Sequence, residues 1–215
     1  MLITTQGKIY NLDEATLLSV RVADTQYYIH GFFYLAGYSS GEESVRALQL
    51  QIEETDSIPF DQMYGAFSCL IIDSNGRKLF FPCNSELHCV YYSDYAVSDR
   101  FLELLMYHRE NNLPLNYQME SVCEYYTLGN VFFENTLVQE IQILNNDCYF
   151  VWQDGERCIC RKMIGGIDGT PRIRDAKTYW NELAIALSNQ RVAISLTGGY
   201  DSSFVFVELY KSYRC

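Results

Sequence analysis

Ten consecutive residues, Ile194–Ser203, place two glycines among hydroxyl and carboxylate side chains in the order I-S-L-T-G-G-Y-D-S-S. An apolar, β-branched run precedes the glycines and an amphipathic stretch follows them, which predicts a strand, a tight loop and a helix N-terminus. The first amides of a helix lack intrahelical acceptors and lie at the positive end of the helix dipole, so this junction favours anions. Because Gly198 and Gly199 carry no Cβ, a pyrophosphate group can approach their backbone closely.

The predicted phosphate site uses both the backbone and the side chains of this loop. The hydroxyls of Thr197, Ser202 and Ser203 can donate hydrogen bonds to phosphate oxygens. Asp201 would repel a phosphate unless it caps the helix or holds a divalent cation, so we assign it to N-capping, to Mg²⁺, or to both. The loop matches neither the Walker A pattern nor the dinucleotide-binding pattern. The predicted ATP- and pyrophosphate-binding residues are Leu196, Thr197, Gly198, Gly199, Tyr200, Asp201, Ser202 and Ser203.

Short β-like runs dominate the chain up to about Met163, and two amphipathic stretches interrupt them. Helical spacing of apolar residues predicts helices at Glu42–Glu54 and Asp99–Asn111. The sequences D-S-N-G at 73–76 and D-G at 154–155 predict tight hairpin turns, and therefore an α+β domain with antiparallel strands. The predicted strands are Gln26–Leu35, Ala66–Asp73, Lys78–Pro82, Cys89–Ser93, Thr136–Leu144, Cys148–Gln153 and Arg157–Lys162.

Isolated titratable residues in this first region carry no predicted chemistry. Asp94 and Asp99 are assigned to a turn and a helix N-cap, because nothing in the sequence fixes their geometry as a carboxylate pair. His30 lies in an apolar strand and is assigned to a core position rather than to a catalytic base.

A change of composition at 164–174, I-G-G-I-D-G-T-P-R-I-R, predicts a linker after a first domain at 1–163. Residues 175–215 then predict a helix at Asp175–Asn189, a strand at Arg191–Leu196 and the helix that follows the phosphate loop. One strand and two helices cannot bury a doubly wound core. Either this C-terminal domain is incomplete, or the tail packs on the first domain.

The 215-residue chain is acidic, with a net charge of −11. Neither nucleic acid nor an anionic membrane is expected as a partner, because both require clustered Lys and Arg. No window approaches the ~20 apolar residues of a membrane span, and the N-terminus lacks a signal-peptide pattern, so we expect a cytoplasmic protein. The eight cysteines include no C-x-x-C pair. Cys158 and Cys160 are expected on one strand face, in a buried structural role rather than at a metal.

Four segments, in order, resemble the asparagine synthetase (glutamine-hydrolysing) family. Gly65–Asp73 resembles the G-x-F-A-x-x-x-x-D strand of that family's N-terminal amidotransferase domain, and Cys89–Tyr92 resembles its P-L-Y-Y strand. Glu124–Asp147 resembles the segment that closes the domain, and Leu196–Ser203 resembles the L-S-G-G-x-D-S-S PP-loop that opens the synthetase domain. The resemblance implies an antiparallel β-sandwich flanked by helices, of the Ntn-hydrolase-like αββα type, followed by an incomplete α/β PP-loop segment.

The glutaminase chemistry of this family needs a cysteine that becomes the first residue once the initiator methionine is removed. Leu2 stands at that position here, and no cysteine precedes Cys69. The sequence H-G-F-F-Y at His30–Tyr34 stands where the family has its glutamine-binding stretch N-G-E-I-Y-N. We therefore expect no glutaminase activity and expect the first domain to be a scaffold, as in the related β-lactam synthetases and lasso-peptide cyclases.

Three functional hypotheses follow from these residues and the resemblance. The first is an ATP-dependent, AMP-forming amide-bond synthetase that uses ATP and Mg²⁺, joins a small-molecule or peptide carboxylate to an amine, and is compatible with a homodimer. The second is a truncated, non-catalytic amidotransferase-like protein with at most weak ATP binding. The third is an active glutaminase, which Leu2 disfavours.

Overall fold

The computed structural model describes residues 1–10, 12, 17–85, 88–163 and 175–214. In this part of the chain the helices are α1 (Glu42–Thr55), α2 (Phe101–Glu110), α3 (Met119–Leu128), α4 (Ala176–Leu187) and α5 (Tyr200–Arg214). None of them has the length and apolar character needed to cross a membrane. The strands are β1 (Leu2–Thr4), β2 (Ile9–Tyr10), β3 (Leu17–Val22), β4 (Thr25–Leu35), β5 (Met63–Ile72), β6 (Lys78–Pro82), β7 (Tyr91–Tyr92), β8 (Ala96–Ser98), β9 (Gln142–Ile143), β10 (Cys148–Gln153) and β11 (Glu156–Arg161).

The described residues form two antiparallel sheets. The first has five strands in the order β2-β1-β8-β7-β9, and the second has six in the order β11-β10-β6-β5-β4-β3. The core between the sheets receives Ile3 and Val97 from the five-stranded sheet and Leu70, Phe80 and Phe150 from the six-stranded sheet. These five side chains are fully buried, so the hydrophobic effect favours the face-to-face packing of the sheets. The predicted α+β class with antiparallel sheets is confirmed, whereas the Ntn-hydrolase-like αββα type and the PP-loop segment stay predictions.

Helix α2 packs on the outer face of the five-stranded sheet. Its Leu104 is fully buried in a cluster with Leu2 and Ala96. Strand β1 is therefore covered on both faces, and all three of its residues are buried. This double coverage places the start of the chain in the interior.

Both predicted hairpin turns are confirmed. Between β5 and β6, the Asp73 carboxylate accepts hydrogen bonds from the amides of Asn75 and Arg77 at 2.9 and 3.0 Å, which is an Asx turn. Between β10 and β11, Asp154 and Gly155 have φ values of 54° and 82°. Two consecutive left-handed residues form the type I′ turn, whose twist matches that of the flanking strands.

Most predicted elements of the first region are confirmed, with ends within about three residues. The strand predicted at Thr136–Leu144 is mostly wrong, because only Gln142–Ile143 is a strand. The Thr136 hydroxyl donates to the carbonyls of Val138 and Ile141 at 2.9 and 2.7 Å and so holds this segment in a turn. The strand predicted at Cys89–Ser93 shortens to β7, and the elements β1, β2, β3, β8 and α3 were not predicted.

The chain divides into two compact units. The first comprises Met1–Gly31 and Gly65–Lys162, and the second comprises Phe32–Tyr64 and Met163–Cys215. In the second unit, the Asp175 carboxylate caps α4 by accepting from the amide of Thr178 at 2.9 Å. The predicted linker at 164–174 lies outside the described residues.

The strand predicted at Arg191–Leu196 is wrong. Residues 191–197 have no regular secondary structure, and the side chains of Val192 and Leu196 are exposed. A strand needs a neighbour to satisfy its backbone amides and carbonyls, and no described strand pairs with this segment. An apolar, β-branched composition alone is therefore not sufficient to form a strand in this segment.

Candidate functional site

The predicted phosphate loop lies at the start of helix α5. Gly198 and Gly199 form a bend, and the helix begins at Tyr200. Gly198 has a φ of 75°, a left-handed conformation that glycine adopts without steric cost. Of the eight predicted site residues only Ser202 is half-buried, and the other seven are exposed. The structure thus brings the predicted residues together in one loop that is open to solvent.

Hydrogen bonds inside the loop define where the helix starts. The Gly199 carbonyl accepts from the amide and the hydroxyl of Ser203 at 3.3 and 2.9 Å, which makes Gly199 the N-cap residue. The hydroxyls of Thr197 and Ser202 are 3.2 Å apart. Asp201 lies one residue inside the helix, in its first turn, so the assignment of Asp201 to the N-cap is wrong. Its assignment to Mg²⁺ stays a prediction.

A hollow of about 510 Å³ lies between α4 and α5. The rings of Trp180 and Phe204 line it, with their centroids 5.8 Å apart in an edge-to-face arrangement. Lys177 and Lys211 also line the hollow. Helix α5 therefore has an N-terminus that favours anions, and its Phe204, directly after Ser203, lines an aromatic hollow.

A second group of polar residues lies in the first unit and centres on Asp99. We call it the Asp99 cluster; its members are Met1, His30, Ser68, His88, Ser98, Asp99, Arg100 and Glu103. The Asp99 side chain is fully buried. One of its oxygens accepts from the Met1 ammonium at 2.8 Å, and the other accepts from the Ser68 hydroxyl at 2.6 Å.

Asp99 does not cap helix α2, so that assignment is wrong. The N-cap residue is Arg100, whose side chain makes no capping hydrogen bond. The pairing of β1 with β8 explains the difference: Leu2 lies opposite Ser98, so the residue after β8 meets the residue before β1. The register of two short strands therefore directs Asp99 into the interior.

The charges of the Asp99 cluster compensate one another. Glu103 lies 3.1 Å from the Met1 ammonium and accepts a hydrogen bond from the Ser98 hydroxyl. Burial raises the pKa of Asp99, but the hydrogen bond from His30, the Met1 ammonium and the Ser68 hydroxyl outweigh burial and hold the pKa well below its usual range. Asp99 is therefore an ionised carboxylate inside the protein.

Two of the three histidines of the chain belong to this cluster. His30 Nδ1 is 3.0 Å from Asp99 Oδ2, and His30 Nε2 is 3.2 Å from an Arg100 nitrogen. Because a guanidinium only donates, neutral His30 accepts at Nε2 and donates from Nδ1. The His88 ring meets the His30 ring edge-on at 5.4 Å. Burial lowers the pKa of His88, against an opposing effect of the Asp99 charge.

Leu2, the residue at the position where the resemblance places a nucleophile, lies next to this cluster. Leu2 is buried and packs against Ala96 and Leu104. An aliphatic side chain offers neither a thiol nor a hydroxyl for attack on an amide. The expected loss of glutaminase activity stays a prediction, now with the apolar surroundings of Leu2 as its structural basis.

The cysteine pair on β11 differs from expectation. Cys158 and Cys160 share one face of the strand, as predicted, with their sulfur atoms 3.9 Å apart. The predicted burial is wrong: Cys158 is exposed and Cys160 is half-buried. The reason is that β11 is the outer strand of the six-stranded sheet.

Sequence reasoning missed the Asp99 cluster because its members come from five separate stretches of the chain, around residues 1, 30, 68, 88 and 100. Each residue alone has an ordinary explanation as a turn, cap or core position. One signal was available: the chain has only three histidines, and two of them meet here. Their meeting depends on the sheet order and not on any sequence spacing.

No family model matches the chain, and no curated protein matches it. Among solved structures, a glutamine phosphoribosylpyrophosphate amidotransferase from B. subtilis, complexed with ADP and GMP, is 11% identical with a TM-score of 0.29, over 90% of this chain and 46% of that chain. A structure described as the allosteric regulatory enzyme of purine biosynthesis gives the same identity and TM-score, over 83% of this chain and 36% of that chain.

The chain spans less than half the length of both structures. Similarity at this level transfers neither a fold nor an activity to this chain. The resemblance to asparagine synthetases therefore rests on the sequence motifs alone.

Proposed function

We propose that this chain binds Mg²⁺-ATP through the Gly198–Ser203 loop and is a homologue of the AMP-forming amide synthetases of the asparagine synthetase type, with a first domain that has no glutaminase activity. The observation that carries the proposal is the sequence T-G-G-Y-D-S at the exposed start of a 15-residue helix. The N-cap residue Gly199 has no side chain to occupy the first-turn amides, so these amides are available to an anion.

The loop would act on the charge that grows as ATP is cleaved. In a synthetase of this type, a carboxylate attacks the α-phosphorus of ATP, pyrophosphate leaves, and an amine then displaces AMP. The first-turn amides and the hydroxyls of Ser202 and Ser203 would stabilise the leaving pyrophosphate. Asp201 would hold the Mg²⁺ that screens the phosphates, since hard cations prefer carboxylate oxygens.

Trp180 gives a direct assay for nucleotide binding. The chain has two tryptophans, so a Trp152→Phe variant leaves Trp180, beside Phe204 on α5, as the only indole. We expect Mg²⁺-ATP to change its fluorescence. We expect Asp201→Asn to weaken binding about tenfold, which corresponds to about 1.4 kcal/mol. Asp154→Asn, in the exposed β10–β11 turn, is the matched control and should leave binding unchanged.

Activity needs a separate measurement. Carboxylate-dependent exchange of pyrophosphate into ATP, abolished by Asp201→Asn, would support the synthetase. Binding of Mg²⁺-ATP without exchange for any acid tested would favour the non-catalytic alternative instead. Absence of Mg²⁺-ATP binding by the folded wild-type chain would refute the proposal, and release of ammonia from glutamine would refute the loss of glutaminase activity.

A further inference from the structure

Three side chains that commonly ligate metals converge in the Asp99 cluster. One ligand atom from each of His30, His88 and Asp99 lies within 4.8 Å of the other two. His30 Nδ1 and Asp99 Oδ2 are 3.0 Å apart. Neighbouring donor atoms around an ion with bonds of about 2.0–2.2 Å lie at about this spacing. The backbone therefore already brings an oxygen and a nitrogen ligand to within coordination distance of one centre.

His88 supplies an independent observation. Its Nε2 is buried, and within the described part of the chain it has no hydrogen-bond partner. A buried polar atom without a partner is uncommon and costs free energy unless something satisfies it. A metal ion bound together with His30 and Asp99 would supply a partner for an imidazole nitrogen of His88.

We propose that His30, His88 and Asp99 bind one divalent transition-metal ion of the Zn²⁺ type and leave at least one coordination position for water or an exogenous ligand. Two imidazole nitrogens and one carboxylate oxygen favour Zn²⁺, Co²⁺ or Fe²⁺ over Mg²⁺ and Ca²⁺, which prefer oxygen ligands. Three protein ligands leave a tetrahedral ion open at its fourth position. This site lies in the first unit and is independent of the phosphate loop on α5.

Two cations, the Met1 ammonium and the Arg100 guanidinium, contact the proposed ligands and compete with the metal ion for them. The Met1 ammonium lies 2.8 Å from Asp99 Oδ1, so the ion would take Oδ2, the oxygen nearer His30, which also accepts a hydrogen bond from the Ser68 hydroxyl at 2.6 Å. Arg100 donates to His30 Nε2, and this contact keeps the ring proton on Nδ1, the nitrogen that the ion needs. Arg100 is exposed, so it can turn away when the ion binds. Arg100 is therefore a competitor of the metal.

The test is a titration of the full chain with Zn²⁺ and with Co²⁺, followed by calorimetry and by the visible absorption of Co²⁺. Cys158→Ser with Cys160→Ser is used as the background, because two sulfur atoms 3.9 Å apart can also hold a soft ion. We expect one ion per chain, and we expect His88→Ala to weaken binding by about 100-fold. Asp94→Asn, an exposed carboxylate outside the cluster, is the control and should not alter affinity.

Arg100→Met separates this site from adventitious binding. It removes both the positive charge and the hydrogen-bond donor that compete with the metal and leaves the three ligands unchanged, so the proposal requires tighter binding of Co²⁺, by about three- to tenfold. Thermal unfolding without metal establishes that each variant is folded. Failure of the folded wild-type background to bind either ion at millimolar concentration would overturn the proposal, as would equal affinity in His88→Ala.

Discussion

Replacing Asp99 with asparagine tests the electrostatics of the buried cluster. The substitution keeps the shape of the side chain and removes the charge that holds the Met1 ammonium at 2.8 Å. Breaking a buried ion pair from one side costs about 3–5 kcal/mol. Because Glu103 remains 3.1 Å from the ammonium, we expect the lower end, about 3 kcal/mol at neutral pH. For a chain of this size, that loss lowers the melting temperature by about 6–12 °C.

The shifted pKa of Asp99 also predicts how the free energy of unfolding changes with pH. The pKa of Asp99 is lowered on folding from a reference value of 3.8, so the folded state binds a proton less readily than the unfolded state. The stabilisation by Asp99 is therefore fully present above about pH 3.8 and is lost as the pH falls through the lower folded value. The difference between the wild-type chain and Asp99→Asn should accordingly be largest at neutral pH and should shrink in acid.

Urea unfolding at several pH values, followed by the fluorescence of the buried Trp152, measures both effects. Asp94→Asn is the control, because Asp94 is exposed and lies five residues away in sequence. A free energy of unfolding for Asp99→Asn within about 1 kcal/mol of the wild-type value at neutral pH would refute the reasoning. A difference between the wild-type chain and Asp99→Asn that does not shrink in acid would also refute it.

Two further substitutions test other buried features. Burial lowers the pKa of Lys162 to about 8, so the unfolded chain holds the proton more tightly and stability rises between pH 8 and 10.5; Lys162→Met should remove that rise in urea titrations. Gly31 has a φ of 103°, and a Cβ there would lie 2.2 Å from the carbonyl oxygen of Ala66. Gly76 also has a positive φ, 77°, but a Cβ there would have no atom within 4 Å. We expect Gly31→Ala to cost over about 3 kcal/mol and Gly76→Ala about 1 kcal/mol, and equal costs would contradict the steric argument.

The parts of the fold that were predictable from sequence are those with local causes. Strand β6 has the predicted ends because the Asx turn before it is encoded within five residues, and helix α1 follows from the helical spacing of its apolar residues. Strands β1 and β8 have only three residues each, too few to show an alternating pattern. Their existence depends on mutual pairing across the chain, which no local window contains.

The two candidate sites also differ in how far the sequence predicts them. The phosphate loop is contiguous, so its residues and its position at a helix start were predictable, although Asp201 was assigned to the wrong position in that helix. The Asp99 cluster is assembled by strand register and by packing of α2. The role of Asp99 changed from a helix cap to a buried ionic centre because Met1 lies against it, a contact that only the folded chain defines.

The outer position of β11 has a consequence for the behaviour of the protein at high concentration. Within the described part of the chain, β11 pairs only with β10, so its other edge presents amides and carbonyls to which a strand of another molecule can add. Glu156 and Arg161 place opposite charges at the two ends of this edge, and the exposed Ile159 lies between them. Since salt screens charges at the surface, raising the ionic strength weakens this electrostatic protection and favours self-association along β11.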